Sequence, residues 1–264
     1  MIGAIIGDLA GSIYEYGQIK RVKRVDINNI IEEESFVSDD TILTIAVADA
    51  IVNQRDYSST LREYAMKYKD KIPTGIPYFK SMFSPGFVKW AEGDSVGTSC
   101  GNGAMMRVSP VGHLFNNEDD VIKNAYLATI PSHNTEEAIE CAKIVALIIF
   151  YARRGMSKDD IIAKLNLNIC KPQIDKFNYT CKDTIDVCLY SLFQAKNFEE
   201  SIRLAISFGG DTDTNACIVG SMAEAMYGIS DELKLKAMSK LPYEFVEILN
   251  KCYERISGIE MNSI

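Results

Sequence analysis

Ile2-Gly3-Ala4-Ile5-Ile6-Gly7-Asp8-Leu9-Ala10-Gly11, residues 2–11, is the stretch that decides how this chain folds. Glycine recurs at every fourth position, so Gly3, Gly7 and Gly11 share one face of a helix predicted over residues 2–15. A face without side chains allows another backbone to approach closely. In an apolar run of about 20 residues the same spacing would suggest membrane dimerisation. Here we favour a tightly packed central helix.

Helical periodicity dominates the rest of the chain. The predicted helices are residues 2–15, 39–54, 58–71, 77–92, 101–114, 118–128, 135–154, 158–164, 182–194, 198–207, 212–227, 231–239 and 243–256. Only the stretch from Arg21 to Ile27 alternates as a strand would. No linker, low-complexity run or internal repeat divides the sequence. We therefore predict an all-α fold in a single compact domain covering residues 1–264.

Composition limits the classes of function. The 264 residues are 47% hydrophobic, which suffices for a core, and the formal net charge of -8 disfavours general binding to nucleic acid or anionic membranes. The short basic cluster Lys20, Arg21, Lys23 and Arg24 is typical of a solvated loop. The longest apolar run, Ile144 to Ala152, is far shorter than the roughly 20 residues that a membrane span needs.

The seven cysteines are scattered and none forms a CxxC pair, while the chain has only two histidines. This pattern disfavours a zinc site. Several cysteines fall in apolar helical patterns and are typical of small core residues. We expect reduced thiols and a cytoplasmic location.

Two acidic clusters, Ser38-Asp39-Asp40-Thr41 and Asp211-Thr212-Asp213-Thr214, are built alike. Each begins a predicted helix and places two carboxylates and flanking hydroxyls within four residues. Helix capping explains one such residue at each site, because Ser and Asp are favoured there. It does not require two acids plus hydroxyls in both places. Together the clusters would form an all-oxygen cage that suits Mg²⁺ or Mn²⁺, and capping is compatible with that role.

Three further features carry polar chemistry. Closely spaced glycines in Gly101-Asn102-Gly103 indicate either a helix-entry turn or a cradle for phosphate. His133 near a helix start is compatible with a structural role or with a ligand pocket. Glu15 ends the first predicted helix, where a negative charge interacts unfavourably with the helix dipole. The energetic cost is small if the side chain is exposed.

Four motifs together resemble the ADP-ribosylglycohydrolase family, which includes the dinitrogenase-reductase-activating glycohydrolases and the ADP-ribosyl-acceptor hydrolases. In chain order they are Gly7-Asp8-Leu9-Ala10-Gly11-Ser12-Ile13-Tyr14-Glu15, Ser38-Asp39-Asp40-Thr41, Gly101-Asn102-Gly103-Ala104-Met105-Met106-Arg107-Val108-Ser109-Pro110-Val111-Gly112 and Gly209-Gly210-Asp211-Thr212-Asp213-Thr214. His133 matches a weaker histidine motif. The resemblance covers nearly the whole chain.

The resemblance implies an all-α fold with a central site for two Mg²⁺ ions, with Mn²⁺ as a substitute. Carried over by position, the metal ligands would be Ser38, Asp39, Asp40, Asp211, Asp213 and Thr214. The residues that line ADP-ribose would be Gly101, Asn102, Gly103, Met105 and His133. In the branch that cleaves serine-linked ADP-ribose, a glutamate at the position of Glu15 acts at the metal site. Glu15 is therefore our first candidate for the catalytic acid/base and Asp40 the second.

The implied function is Mg²⁺-dependent hydrolysis of the bond between ADP-ribose and a protein serine or arginine side chain. The expected partner is an ADP-ribosylated protein or another ADP-ribose conjugate, acted on by a monomer. Two alternatives stay open. The protein could be a catalytically inactive ADP-ribose-binding or structural member of the family, or a hydrolase of a conjugate that contains no protein.

Overall fold

The computed structural model describes residues 1–15, 23–73, 81–93 and 95–261, with side chains up to residue 258. Within these ranges the chain forms helices and no sheet, as predicted. The helices are α1 (Ile2–Glu15), α2 (Asp39–Val52), α3 (Tyr57–Tyr68), α4 (Pro85–Glu92), α5 (Gly103–Met106), α6 (Ser109–Leu114), α7 (Glu118–Thr129), α8 (Glu136–Ala152), α9 (Lys158–Lys164), α10 (Cys181–Gln194), α11 (Phe198–Ser207), α12 (Thr212–Tyr227), α13 (Asp231–Met238) and α14 (Tyr243–Met261).

Helix α1 lies at the centre and packs antiparallel against α12. A Cβ atom added to Gly3, Gly7 or Gly11 would lie 2.0–2.3 Å from a carbonyl oxygen of α12, namely that of Gly220, Ala216 and Thr212 respectively. The two backbones are therefore in direct contact along three turns. The prediction of a tightly packed central helix is confirmed, since every residue from 2 to 12 is buried.

Predicted and observed helix ends differ at several places, and two of these differences involve a proline. The expected helix 101–114 is two helices, because Pro110 has no N–H to donate to the carbonyl oxygen of Met106. That oxygen accepts a hydrogen bond from Thr44 Oγ1 instead (3.1 Å). Helix α4 begins at Pro85, a residue suited to a first helical turn, and residues 81–84 are not helical. The remainder of the expected start, residues 77–80, lies outside the described residues.

Two isolated β-bridges, Thr98 with His133 and Gly101 with Thr180, join loops that reach the same end of the molecule. Residues 23–27, the described part of the candidate strand, belong to no helix or strand. None of the helices in the described ranges combines the length and the apolar character needed to cross a membrane.

The contact between α1 and α12 predicts a large effect of one methyl group. Gly7→Ala should lower the free energy of unfolding by about 3 kcal/mol or more, because a Cβ would overlap the Ala216 backbone and force the helices apart. Urea unfolding followed by circular dichroism measures this change. Gly258→Ala in α14 is the matched control, since no atom lies within 4 Å of its Cβ position, and it should stabilise or leave stability unchanged. Equal effects of the two substitutions would contradict the packing described.

Candidate active site

The end of α1 and the starts of α2 and α12 meet at a cleft of about 800 Å³. The antiparallel contact brings this about, since the last residues of α1 face the first residues of α12. Ten of the residues singled out in the sequence line the cleft: Glu15, Ser38, Asp39, Gly101, Asn102, Gly103, His133, Asp211, Asp213 and Thr214. Asp40 and Met105 are buried and do not line it.

The two acidic clusters, about 170 residues apart in sequence, are in contact. Thr214 Oγ1 donates a hydrogen bond to Asp40 Oδ2 (3.1 Å). Carboxylate oxygens of Glu15, Asp211 and Asp213 lie within 4.8 Å of one another, close enough to share one cation. The clusters and Glu15 thus form one acidic group at the cleft.

Helix capping accounts for part of this arrangement only. Ser38 is the N-cap of α2, and its Oγ accepts from the Asp40 backbone N–H (3.2 Å). Asp211 occupies the N-cap position of α12, but its side chain makes no capping hydrogen bond. Instead, Asp211 Oδ2 accepts from Asn102 Nδ2 (2.8 Å). Capping at these two helices therefore uses only the Ser38 hydroxyl. It leaves the Asp211 carboxylate free to face the cleft and the glycine turn.

Asp8 is a member of the acidic group that the sequence analysis did not assign. It is fully buried in α1, and its Oδ2 accepts from the backbone N–H groups of Ser38 (2.9 Å) and Thr41 (3.1 Å). It therefore fixes the start of α2 against α1. The signal that could have identified it is a lone carboxylate inside an otherwise apolar, glycine-striped helix, where an unpaired acid is costly.

The acids of this group repel one another and retain protons; four are buried, and Glu15 and Asp39 are half-buried. Burial and then the charge of Asp213 raise the pKa of Asp8 to about 7 and that of Asp39 to about 8. Burial, followed by the charges of Asp213 and Asp211, raises the pKa of Glu15 to about 11. The pKa values of Asp40 and Asp213 are also raised well above the usual range, chiefly by burial.

The donor set fits a hard divalent cation. It consists of carboxylate and hydroxyl oxygens, the ligands that Mg²⁺ and Mn²⁺ prefer. Among the described residues, no Lys, Arg or His forms an ion pair with any of these six acids, Asp8, Glu15, Asp39, Asp40, Asp211 and Asp213. Asp8 Oδ1 and Asp40 Oδ1 are buried without hydrogen-bond partners. Protons or cations must therefore supply the missing positive charge.

The glycine turn at residues 101–103 has fewer open backbone donors than its sequence suggests. The N–H of Gly101 bonds Ser99 Oγ (3.0 Å) and that of Asn102 bonds the Tyr179 carbonyl (2.9 Å). Within the described chain, the N–H of Gly103 has no partner, so the turn offers one backbone donor to an anion.

A strap at residues 178–181, which the sequence analysis did not single out, holds this turn in place. The buried Asn178 accepts from the Asp211 N–H (3.0 Å) and donates to Asn215 Oδ1 (2.7 Å). Gly210, with φ +75, lies so close that a Cβ there would be 2.1 Å from Asn178 Oδ1. The strap therefore ties the glycine turn to the start of α12, a link between distant segments that periodicity does not reveal.

Aromatic side chains form another wall of the cleft. The rings of Phe87 and Trp90 are 5.0 Å apart, and both residues line the cleft. Trp90 is buried, with its indole Nε1 lacking a partner within the described residues. This wall suits a planar or apolar part of a ligand.

His133 lies opposite the glycine turn and is buried at 5% exposure. Its Nδ1 is 2.7 Å from Ser132 Oγ. Burial and the charge of Arg107 lower the pKa of His133 well below its usual range, so the imidazole is neutral.

Comparison with known proteins identifies a family and relatives that match most of the chain. The model of the ADP-ribosylglycohydrolase family matches residues 1–259. The ADP-ribosylarginine hydrolase Tri1 of Pseudomonas putida (strain GB-1) is 22% identical over 268 residues, 87% of this chain and 70% of that protein. The ADP-ribosylhydrolase ARH3 of Danio rerio is 22% identical over 311 residues, 87% of this chain and 82% of that protein.

A solved structure has the same fold. It is an ADP-ribosylglycohydrolase-related protein complex with a TM-score of 0.59 and 21% sequence identity, and the match covers 97% of this chain and 94% of that chain.

The raised pKa values predict that chelated protein loses stability as pH rises. An acid whose folded pKa exceeds its unfolded value of about 4 binds extra protons on folding, and this contribution is lost as pH rises through the folded pKa. Because the pKa of Asp8 is raised to about 7 and that of Asp39 to about 8, the melting temperature in EDTA should fall from pH 5 to pH 8. Saturating Mg²⁺ should reduce that slope, as differential scanning calorimetry would record. A melting temperature in EDTA that stays level or rises over this range would contradict the account.

Proposed function

The chain belongs to the ADP-ribosylglycohydrolase family, and on that premise we propose that it hydrolyses the bond between ADP-ribose and a protein serine or arginine side chain with the help of Mg²⁺. Family membership makes the chain a hydrolase of ADP-ribose conjugates; the metal and the acceptor are the proposal. The observation that carries it is the group of six acids that have no basic partner among the described residues. Four of them, Glu15, Asp39, Asp211 and Asp213, line one cleft together with the glycine turn.

The metal-binding part of the proposal assigns Ser38, Asp39, Asp40, Asp211, Asp213 and Thr214 to two Mg²⁺ ions. All-oxygen donors, mutual repulsion and unpartnered oxygens support this assignment. Bound divalent cations would supply Lewis-acid chemistry, by holding ribose hydroxyls and polarising water. Glu15 lies close enough to Asp211 and Asp213 to be a ligand as well.

The proposed general acid is Glu15. Its carboxyl group is the only one of the acids on α1 that lines the cleft, and in the metal-free protein burial and the charges of Asp213 and Asp211 raise its pKa to about 11. The Glu15 proton would pass to the acceptor atom, a serine Oγ or a guanidine nitrogen, as its bond to the anomeric carbon breaks. The Glu15 carboxylate would then take a proton from the attacking water.

Asp40 remains the second candidate for the general acid. Its hydrogen bonds and its position outside the cleft lining make it less suited to that role than Glu15. Asp40 Oδ2 already accepts from Ser38 Oγ (3.3 Å) and Thr214 Oγ1 (3.1 Å). The residue does not line the cleft. A carboxylate held in this way is better suited to fixing neighbouring ligands than to exchanging protons with a substrate.

The ADP-ribose part of the substrate is proposed to lie against Gly101, Asn102, Gly103, Met105 and His133. The free N–H of Gly103 and the cleft position of His133 support contact with an anionic ligand. Met105 is fully buried, so its contribution would be to the shape of the turn.

The alternatives keep the same cleft. An inactive ADP-ribose-binding protein would need no proton donor, whereas the four Asp of the two clusters and Glu15 are all in place at the site. A non-protein conjugate of ADP-ribose would use the same site residues. We further propose a cytoplasmic location, since seven free thiols are typical of a reducing compartment. In this proposal the protein acts as a monomer.

The primary test is release of ADP-ribose from matched serine-linked and arginine-linked ADP-ribosyl peptides, in Mg²⁺ and in EDTA. We expect Mg²⁺-dependent release from one of the two peptides. Asp213→Asn should reduce release by about a hundredfold or more, because a ligand that positions substrate is lost. Asp186→Asn, an exposed acid on α10, is the control and should retain full activity. Release that is equal in EDTA would contradict the metal assignment, and binding of ADP-ribose without release from either peptide would favour an alternative.

Glu15→Gln separates proton transfer from metal binding. If Glu15 is the general acid, its replacement by Gln should lower kcat by about 10²–10⁴-fold, with little change in the affinity for ADP-ribose or Mg²⁺. Single-turnover kinetics and isothermal titration calorimetry measure these quantities. A variant that loses Mg²⁺ affinity in proportion to activity would assign Glu15 to the metal ligands instead, and a fully active variant would remove it from the mechanism.

A further inference from the structure

Arg107 is a buried cation that no carboxylate pairs with in the described part of the chain. It follows α5, lines the cleft and has no exposed surface. Its Nη2 donates to the carbonyls of Ala128 (3.0 Å) and Thr129 (3.3 Å) and to Ser132 Oγ (2.8 Å), all of them neutral acceptors. A buried guanidinium without a counter-ion is costly, which points to a role beyond packing.

Ser132 connects this cation to His133. Its Oγ lies 2.8 Å from Arg107 Nη2 and 2.7 Å from His133 Nδ1. A guanidinium only donates, so Ser132 Oγ must accept from Arg107, and its single hydrogen is left for Nδ1. In the opposite arrangement Nδ1–H donates to Ser132, and the serine hydroxyl hydrogen would be left without an acceptor at a buried site. Donation by Arg107 also polarises the Ser132 hydroxyl and makes it a better donor.

The hydrogen-bond direction determines the tautomer of His133. A neutral imidazole carries one hydrogen, so an Nδ1 that accepts leaves that hydrogen on Nε2. Nε2 faces the glycine turn, where Cβ atoms on Gly101 and Gly103 would lie 3.5 and 3.4 Å from it. No described residue accepts a hydrogen bond from Nε2. The missing side chains of the two glycines therefore leave space for a ligand atom beside this N–H.

We propose that Arg107 and Ser132 are positioning residues that hold His133 as its Nε2–H tautomer, so that the imidazole donates a hydrogen bond to an oxygen of ADP-ribose at the glycine turn. The inference rests on the proposed function for the identity of the ligand, whereas the tautomer is a property of the free protein. It gives the turn a second donor beside the single open N–H of Gly103. Arg107 contributes its positive charge to the same end of the cleft.

The test is a long-range ¹H–¹⁵N spectrum of the full-length protein labelled with ¹⁵N-histidine, followed by ADP-ribose titration in Mg²⁺. The chain has two histidines, so His113→Gln assigns the signals. We expect His133 to be protonated at Nε2 in the wild type and to shift toward the Nδ1–H form in Ser132→Ala. ADP-ribose should bind about tenfold more weakly to Ser132→Ala, the range expected for one hydrogen bond.

Two further variants separate positioning from stability. Ser132→Thr keeps the hydroxyl and should restore both the tautomer and the affinity. Ser191→Ala removes a buried hydroxyl without a partner in the described chain and should change neither. An Nδ1–H signal in the wild type, or an unchanged tautomer in Ser132→Ala, would overturn the proposal. If the His133 tautomer depends on Ser132 but the protein does not bind ADP-ribose, the positioning role of Arg107 and Ser132 is supported and only the proposed function is contradicted.

Discussion

The backbone contact between α1 and α12 is the constraint on which the rest of the structure depends. Glycines at every fourth position allow the two helices to touch along three turns, and a Cβ at Gly7 would lie 2.0 Å from a carbonyl oxygen. Because the helices are antiparallel, the end of α1 arrives at the start of α12, and Thr212 Oγ1 donates to the Gly11 carbonyl there (2.9 Å). The position of Glu15 relative to Asp211 and Asp213 follows from that contact.

The second constraint is charge. The acids at the cleft are buried or half-buried together without a basic partner among the described residues. Burial, and after it the charge of neighbouring acids, raises the pKa values of Glu15 and Asp213. Such a group destabilises the protein at neutral pH unless protons or cations offset the repulsion. The same property suits the group to bind divalent cations, and in the metal-free protein it keeps a proton on Glu15. The clustering of these acids therefore both lowers the stability of the metal-free protein and supplies the ligands for the proposed cations.

The glycine turn, which contacts Asp211 through Asn102, brings hydrogen-bond donors to the same cleft. The open N–H of Gly103 and the imidazole of His133 lie beside that turn, and the buried Arg107 donates to Ser132, the neighbour of His133. An acidic protein can therefore accommodate an anionic ligand, since a few directed donors act locally while the net charge acts at long range. Acids and donors that line one cleft together suit a ligand with both an anionic part and a reacting bond.

The sequence by itself determined the helices, the close-packing face of α1 and the two acidic clusters, because periodicity, glycine spacing and local crowding of carboxylates are properties of neighbouring residues. It could not determine the role of Asp8, the strap at Asn178 or the path from Arg107 to His133, since each depends on segments joined only in the folded chain. Helix ends near Pro110 and Pro85 also shifted, because proline restricts where a helix can begin. Tertiary structure alone decided which carboxylates meet and which way the histidine proton points. Contacts between distant segments set both, from Thr214 to Asp40 in the first case and from Arg107 to Ser132 in the second.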